Sequence, residues 1–255
     1  MTGIDRIESA LSGGAASGIP RIVPFLTAGY PSPDAFRRLL PLLAEHADAI
    51  EVGVPFSDPM ADGVTIQEAS QVALEAGVTL RGILADLADL KLSIPVLLMS
   101  YLNPLLAYGP DRLAEDAAAA GVCGFIVPDL PYEERALLGE PLQAAGLALV
   151  QLVTPLTPPA RLAAICAVSR GFVYAVTRTG TTGDGAGLPA DLADYLDRVR
   201  AVSPRPVLAG FGIRSGAQVA ALSGHADGAI VGSALLKTLA EGGDAVAFLQ
   251  QLRQP

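Results

Sequence analysis

The chain has 255 residues, no Trp, and a formal net charge of -9, from 26 Asp and Glu against 17 Lys and Arg. Such acidity excludes a general binder of nucleic acid or of anionic membranes, whose phosphates would repel it. No basic-then-apolar N-terminal segment reads as a signal peptide, and the longest apolar stretch, around Pro95 to Tyr108, is interrupted by Asn103 and Pro104, so no membrane span is expected.

In chain order, Ile4 to Leu11 predicts a short extra helix before the first strand. Eight apolar, mostly β-branched runs then read as strands: Arg21–Thr27, Asp48–Gly53, Pro95–Ser100, Gly124–Pro128, Leu147–Val153, Gly171–Thr177, Pro206–Ala209 and Gly228–Gly232. Helical patterns separate them. Ser32-Pro33 is an N-cap with a first-turn proline, followed by Phe36, Leu39, Leu40 and Leu43, with a kink or break expected at Pro41. Thr65 to Glu68 reads as a capping box and Gly77 as the matching stop. Leu80, Ile83, Leu84 and Leu87 mark the next helix, and Thr157-Pro158 opens one with Leu162 and Ile165. Leu192, Tyr195, Leu196 and Val199 mark another, and Ser215 caps a last one carrying Val219 and Leu222.

Strict alternation of strand and helix calls for a parallel sheet, because parallel strands need crossovers. Eight units in a chain of this length predict an α/β protein, a single (β/α)8 TIM barrel with a short extra N-terminal helix, one domain over residues 1–255. Cys123 and Cys166 sit in apolar contexts and read as buried thiols of a reducing compartment, so a cytoplasmic location is expected.

Barrel active sites form at the C-terminal ends of the strands. That face receives Glu51, at the end of the second strand, and Asp62, on the loop beyond it. Taken alone, Glu51 is equally compatible with a strand-end acid satisfied by backbone donors, and Asp62 with a solvated turn before Gly63. Asp58, before Pro59, most simply shapes the turn. Glycine-rich segments follow three adjacent strands: Gly180 to Gly183, Gly210 to Ile213, and Gly232-Ser233 at the start of a helix. Together they indicate a phosphate cradle, since glycines admit an anion to backbone N–H groups and a helix N-terminus favours it. The two lysines, Lys91 and Lys237, fall in helical patterns away from strand ends, which argues against a Schiff-base aldolase. His46 and His225 fall near helix ends that precede strands, on the opposite face, so no metal site is expected. What remains is acid–base chemistry on a small phosphate ester.

The stretch Glu51 to Ala69, EVGVPFSDPMADGVTIQEA, closely resembles the signature of the tryptophan synthase α subunit. So do PFLTAGYP (Pro24–Pro31), GFIVPDLP (Gly124–Pro131), YAVTRTGTTG (Tyr174–Gly183), GFGI (Gly210–Ile213) and VGSALL (Val231–Leu236), in family order over nearly the whole chain. The resemblance implies retro-aldol cleavage of indole-3-glycerol phosphate to indole and glyceraldehyde 3-phosphate. It also implies an α-β-β-α complex in which a β subunit consumes the indole with pyridoxal phosphate, this chain having no cofactor of its own. Carried over by position, Glu51 and Asp62 are the catalytic acids, and Gly183, Gly212, Gly232 and Ser233 hold the phosphate. Phe25, Tyr101, Ile126, Tyr174 and Phe211 shape the indole pocket, Thr182 belongs to the closing loop, and Phe56, Asp58 and Pro59 face the partner.

Three positions and one element depart from the family pattern. Thr181 stands where Val is usual, Val64 where a proline is common, and Cys123 where an acid is frequent; the N-terminal helix is short. None removes a catalytic group, although both active-site loops also face the partner. Two other roles fit the same residues: a free-standing indole-3-glycerol phosphate lyase feeding another pathway, and a weakly catalytic homologue kept as an allosteric partner. Intact Glu51 and Asp62 argue against the latter.

Overall fold

The structure, a computed structural model, describes residues 1–177 and 188–254. Eight strands, β1 (Arg21–Thr27), β2 (Ile50–Gly53), β3 (Val96–Met99), β4 (Val122–Ile126), β5 (Ala148–Val153), β6 (Val173–Val176), β7 (Val207–Gly210) and β8 (Gly228–Val231), pair in parallel in sequence order. The β1–β8 pairing, Pro24 opposite Val231 among its rungs, closes the barrel. Buried on one face by helices and on the other by the barrel interior, these strands are almost entirely apolar, as parallel strands must be.

The expected boundaries hold within one or two residues, with β4 the most displaced. It begins at Val122, two residues before the expected Gly124, because Gly121 ends the preceding helix at φ +80°. The register against β3 then jumps from Val96–Val122 to Leu97–Gly124, leaving Cys123 as the extra residue of a bulge. The helix Pro33–Ala44 runs unbroken through Pro41. The Thr65–Glu68 capping box does not form. The helix Val64–Glu75 starts at Gly63, which has no capping side chain, and Thr65 is already inside its first turn. Val64 thus holds the first helical position, one that proline also suits. Thr157 does not cap its helix either. Its hydroxyl accepts the Thr154 N–H at 3.0 Å, and the helix Pro159–Val168 follows Pro158. The helix capped by Ser215 is short, Gly216–Ala220, so Leu222 lies beyond it.

The extra helix, Gly3–Leu11, carries a true capping box between Thr2 and Asp5 and packs across the N-terminal ends of the strands with Ile7 and Leu11 fully buried. Arg6 donates to the carbonyls of Ser93 and Ile94, and Glu8 pairs with Arg205 at 3.0 Å. Beneath the strands, Asp48 accepts the Ile22 N–H at 2.8 Å and binds Arg253 at 2.9 Å. His225 pairs with Asp197 at 2.9 Å. One end of the barrel is therefore sealed, and the other is left for the site.

Candidate active site

The C-terminal mouth encloses a cavity of about 430 Å³ whose wall includes Phe25, Glu51, Asp62, Tyr174, Phe211 and Gly232. Glu51 projects from β2, level with Phe25 of β1 and Leu97 of β3. It is 1 % exposed, and neither carboxyl oxygen has a hydrogen-bond partner among the described residues. Loss of solvation first, and the nearby Asp62 charge second, push its pKa up to about 8, so the carboxyl is largely neutral at pH 7. The strand-end acid satisfied by backbone donors is thus not what the fold builds.

Asp62, 8 % exposed, is also raised by burial, but a hydrogen bond from Tyr101 opposes the shift. The Tyr101 hydroxyl accepts the Ala61 N–H at 2.8 Å, and its ring lies 5.2 Å from that of Phe56. One residue thereby ties both limbs of the loop between β2 and the next helix. Gln67 donates to the Asp62 carbonyl at 2.8 Å.

Two glycines make room for the aromatic wall. A Cβ on Gly53 would fall 2.4 Å from the Phe25 ring, and one on Gly210 would fall 2.3 Å from the Tyr174 hydroxyl. Tyr174 meets Phe211 edge to face, centroids 5.7 Å apart, and burial holds its phenol neutral. Phe211 sits at φ +72°, a region costly for a bulky side chain, and Thr177 Oγ1 donates to its carbonyl. Gly212 follows at φ +95°, and Gly232 precedes the helix Ser233–Ala240 with no side-chain cap. Gly212, Gly232 and Ser233 line the cavity wall together, at a helix N-terminus, which is a favourable place for an anion.

The family model "Tryptophan synthase alpha chain" matches residues 14–253. The tryptophan synthase alpha chain of Nitratidesulfovibrio vulgaris strain DP4 is 49% identical over 248 residues, 96% of each chain. Among solved structures, Mycobacterium tuberculosis tryptophan synthase superposes with a TM-score of 0.86 at 40% identity, covering 97% of this chain and 94% of that one. The tryptophan synthase alpha subunit of Legionella pneumophila strain Paris gives 0.86 at 32% identity, covering 100% and 98%. The chain belongs to the tryptophan synthase alpha chain family. Its reaction is the lyase step of tryptophan biosynthesis, the cleavage of indole-3-glycerol phosphate to indole and glyceraldehyde 3-phosphate.

Of the residues singled out in the sequence, the alpha-chain barrel brings Glu51, Asp62, Phe25, Tyr174, Phe211, Gly212, Gly232 and Ser233 onto one cavity. Tyr101 and Ile126 are not on its wall. Ile126 is buried in the barrel interior, and Tyr101 is turned toward the Asp62 loop, where it lines a smaller recess. Thr182 and Gly183, with Thr181, lie outside the described residues. Phe56 is half-buried against Tyr101, whereas Ser57, Asp58 and Met60 are exposed. Lys237, expected away from the strand ends, lines the cavity, as does Arg214. Its spacing of four from Ser233 was the available signal. Among the described residues no group of three or more His, Cys, Asp or Glu is placed to hold a metal, and no helix is long and apolar enough to cross a membrane.

Proposed function

We propose that Glu51 and Asp62 divide the cleavage between them. The observation that carries this is a buried carboxyl with both oxygens unpaired among the described residues and its pKa near 8, facing the same cavity as a second carboxylate. Neutral Glu51 gives its proton to ring carbon 3 of the indole, which places a positive charge on the ring nitrogen. Ionised Asp62 stabilises that charge in a largely dry site. Glu51, now a carboxylate, takes the proton of the adjacent side-chain hydroxyl. The bond between ring and glycerol chain breaks, its electron pair returns to the ring, and the hydroxyl carbon becomes the aldehyde of glyceraldehyde 3-phosphate. Glu51 ends protonated, as it began, so one residue serves as acid and then as base. The cradle of Gly212, Gly232 and Ser233, with Gly183, holds the phosphate, and this remote anchoring orients the reacting bond.

We further propose that the chain works with a β subunit that uses pyridoxal phosphate to consume the indole, this chain needing no cofactor of its own. The exposed Ser57–Asp58 turn and neighbouring Pro59, on the loop that carries Asp62, support a partner surface coupled to the catalytic acid. The test is indole release from indole-3-glycerol phosphate with and without added β subunit. A sharp rise on addition is expected. Full activity of the isolated chain, unchanged by partner, would favour the free-standing lyase.

A further inference from the structure

The phosphate end of the cavity carries a charge that the backbone cradle does not account for. Ser233 opens an eight-residue helix, and Lys237 follows four residues later on the same face. Side chains on a helix lean toward its N-terminus, so the Lys237 stem runs back toward Gly232 and Ser233. Lys237 indeed lines the cavity beside them. It is exposed at the rim, and no carboxylate among the described residues pairs with it.

A phosphate monoester entering this cavity meets an unfavourable field. The chain is at -9, and Asp62, ionised in the proposed mechanism, lies on the cavity wall, whereas Glu51 is largely neutral at pH 7. The helix N-terminus offers the equivalent of only about half a positive charge. A dianion therefore needs full cationic charge near the cradle, and two cations line the cavity, Arg214 beyond β7 and Lys237 on the helix of the cradle itself. A lysine one helical turn away, roughly 5 Å along the axis, supplies a compact point charge without the forked geometry of arginine.

We propose that Lys237 is the charge-selecting residue of this site. Its ammonium sets the preference for a dianionic phosphate monoester over a monoanion of similar shape, and it takes no part in bond cleavage. This rests on the reading of the cavity as the indole-3-glycerol phosphate site, so wild-type cleavage of that substrate is measured first.

The variants are Lys237→Met, which keeps the length and loses the charge, and Lys237→Arg, which keeps the charge. Affinities for glycerol 3-phosphate and for glycerol sulfate are then measured at one pH and ionic strength by titration. One charge at about 6 Å across a partly solvated gap corresponds to roughly tenfold in affinity. The wild type should therefore favour the phosphate about tenfold, and Lys237→Met should reduce that preference to about twofold or less. In the same variant KM for indole-3-glycerol phosphate should rise about tenfold while kcat changes less than about threefold. Lys237→Arg should restore most of the preference. A Lys237→Met protein that keeps the preference, weakens both ligands equally, or loses kcat at unchanged KM would overturn the proposal. If the wild type itself fails to cleave the substrate with a β subunit present, the underlying reading falls instead.

Discussion

At the β2 side of the cavity, Glu51 and Asp62 are almost wholly removed from water, and among the described residues Glu51 has no hydrogen-bond partner for either oxygen. At the β7–β8 side the proposed cradle is built from the backbone of Gly212, Gly232 and Ser233 beside an exposed lysine. The first end owes its reactivity to missing solvation, so it depends on the chemical identity of one side chain. The second uses groups that every residue carries, so it depends on space and backbone angle. A substitution at either end should fail for a different reason, and each failure has its own measurement.

The largest effect should come from Glu51→Gln, which keeps the shape and removes both proton transfers. General acid–base groups contribute about 10²–10⁴-fold, and turnover should fall by roughly 10³. A variant keeping a tenth of wild-type kcat would have lost only about 1.4 kcal/mol, too little for a group used twice. Next comes Gly232→Val. At φ -113° the backbone accepts a side chain, but its Cβ would stand 3.1 Å from the Phe25 ring. Titration with glycerol 3-phosphate should show affinity lower by about ten- to a hundredfold, with kcat at saturation much less changed. Unaltered affinity in the folded variant would move the phosphate elsewhere.

The most gradual effects are in pH dependence. Because the Glu51 pKa is raised in the fold to about 8, the folded protein holds a proton that the unfolded chain has already released above pH 4.5. Stability from this group is thus fully present below about pH 4.5 and is lost as pH rises toward 8. Denaturant titrations of wild type and Glu51→Gln should diverge over that window, the wild type losing at most about 1.4 kcal/mol per pH unit relative to the variant. Parallel curves would mean that Glu51 titrates normally. The same ionisation should give kcat/KM an alkaline limb near pH 8.

The strands were legible because residues buried on both faces leave continuous apolar runs, and β1 was read to the residue. β4 slipped because Cys123 is a bulge, and a bulge is a matter of its neighbour's register. The helix after Asp62 was misread because Gly63 begins it without a capping side chain, leaving no local sign. Glu51 and Asp62 stood out as acids at a strand end and on its loop. That Tyr101 turns to hold the Asp62 loop, and that Gly53 and Gly210 make space for Phe25 and Tyr174, depends on residues facing one another across strands. No local pattern encodes that.

Phe25 stands level with Glu51 on one side and within contact range of Gly232 on the other. It belongs to the first strand made, and Gly232 lies at the end of the last. During synthesis, therefore, a growing chain can hold Glu51 and the Asp62 loop for some 170 residues without a phosphate cradle to complete them. At 5–20 residues per second that interval is on the order of 10–30 s. On the proposed roles of these residues, catalytic competence arrives only when β8 closes against β1, so a chain stalled before that step carries both acids and half a site.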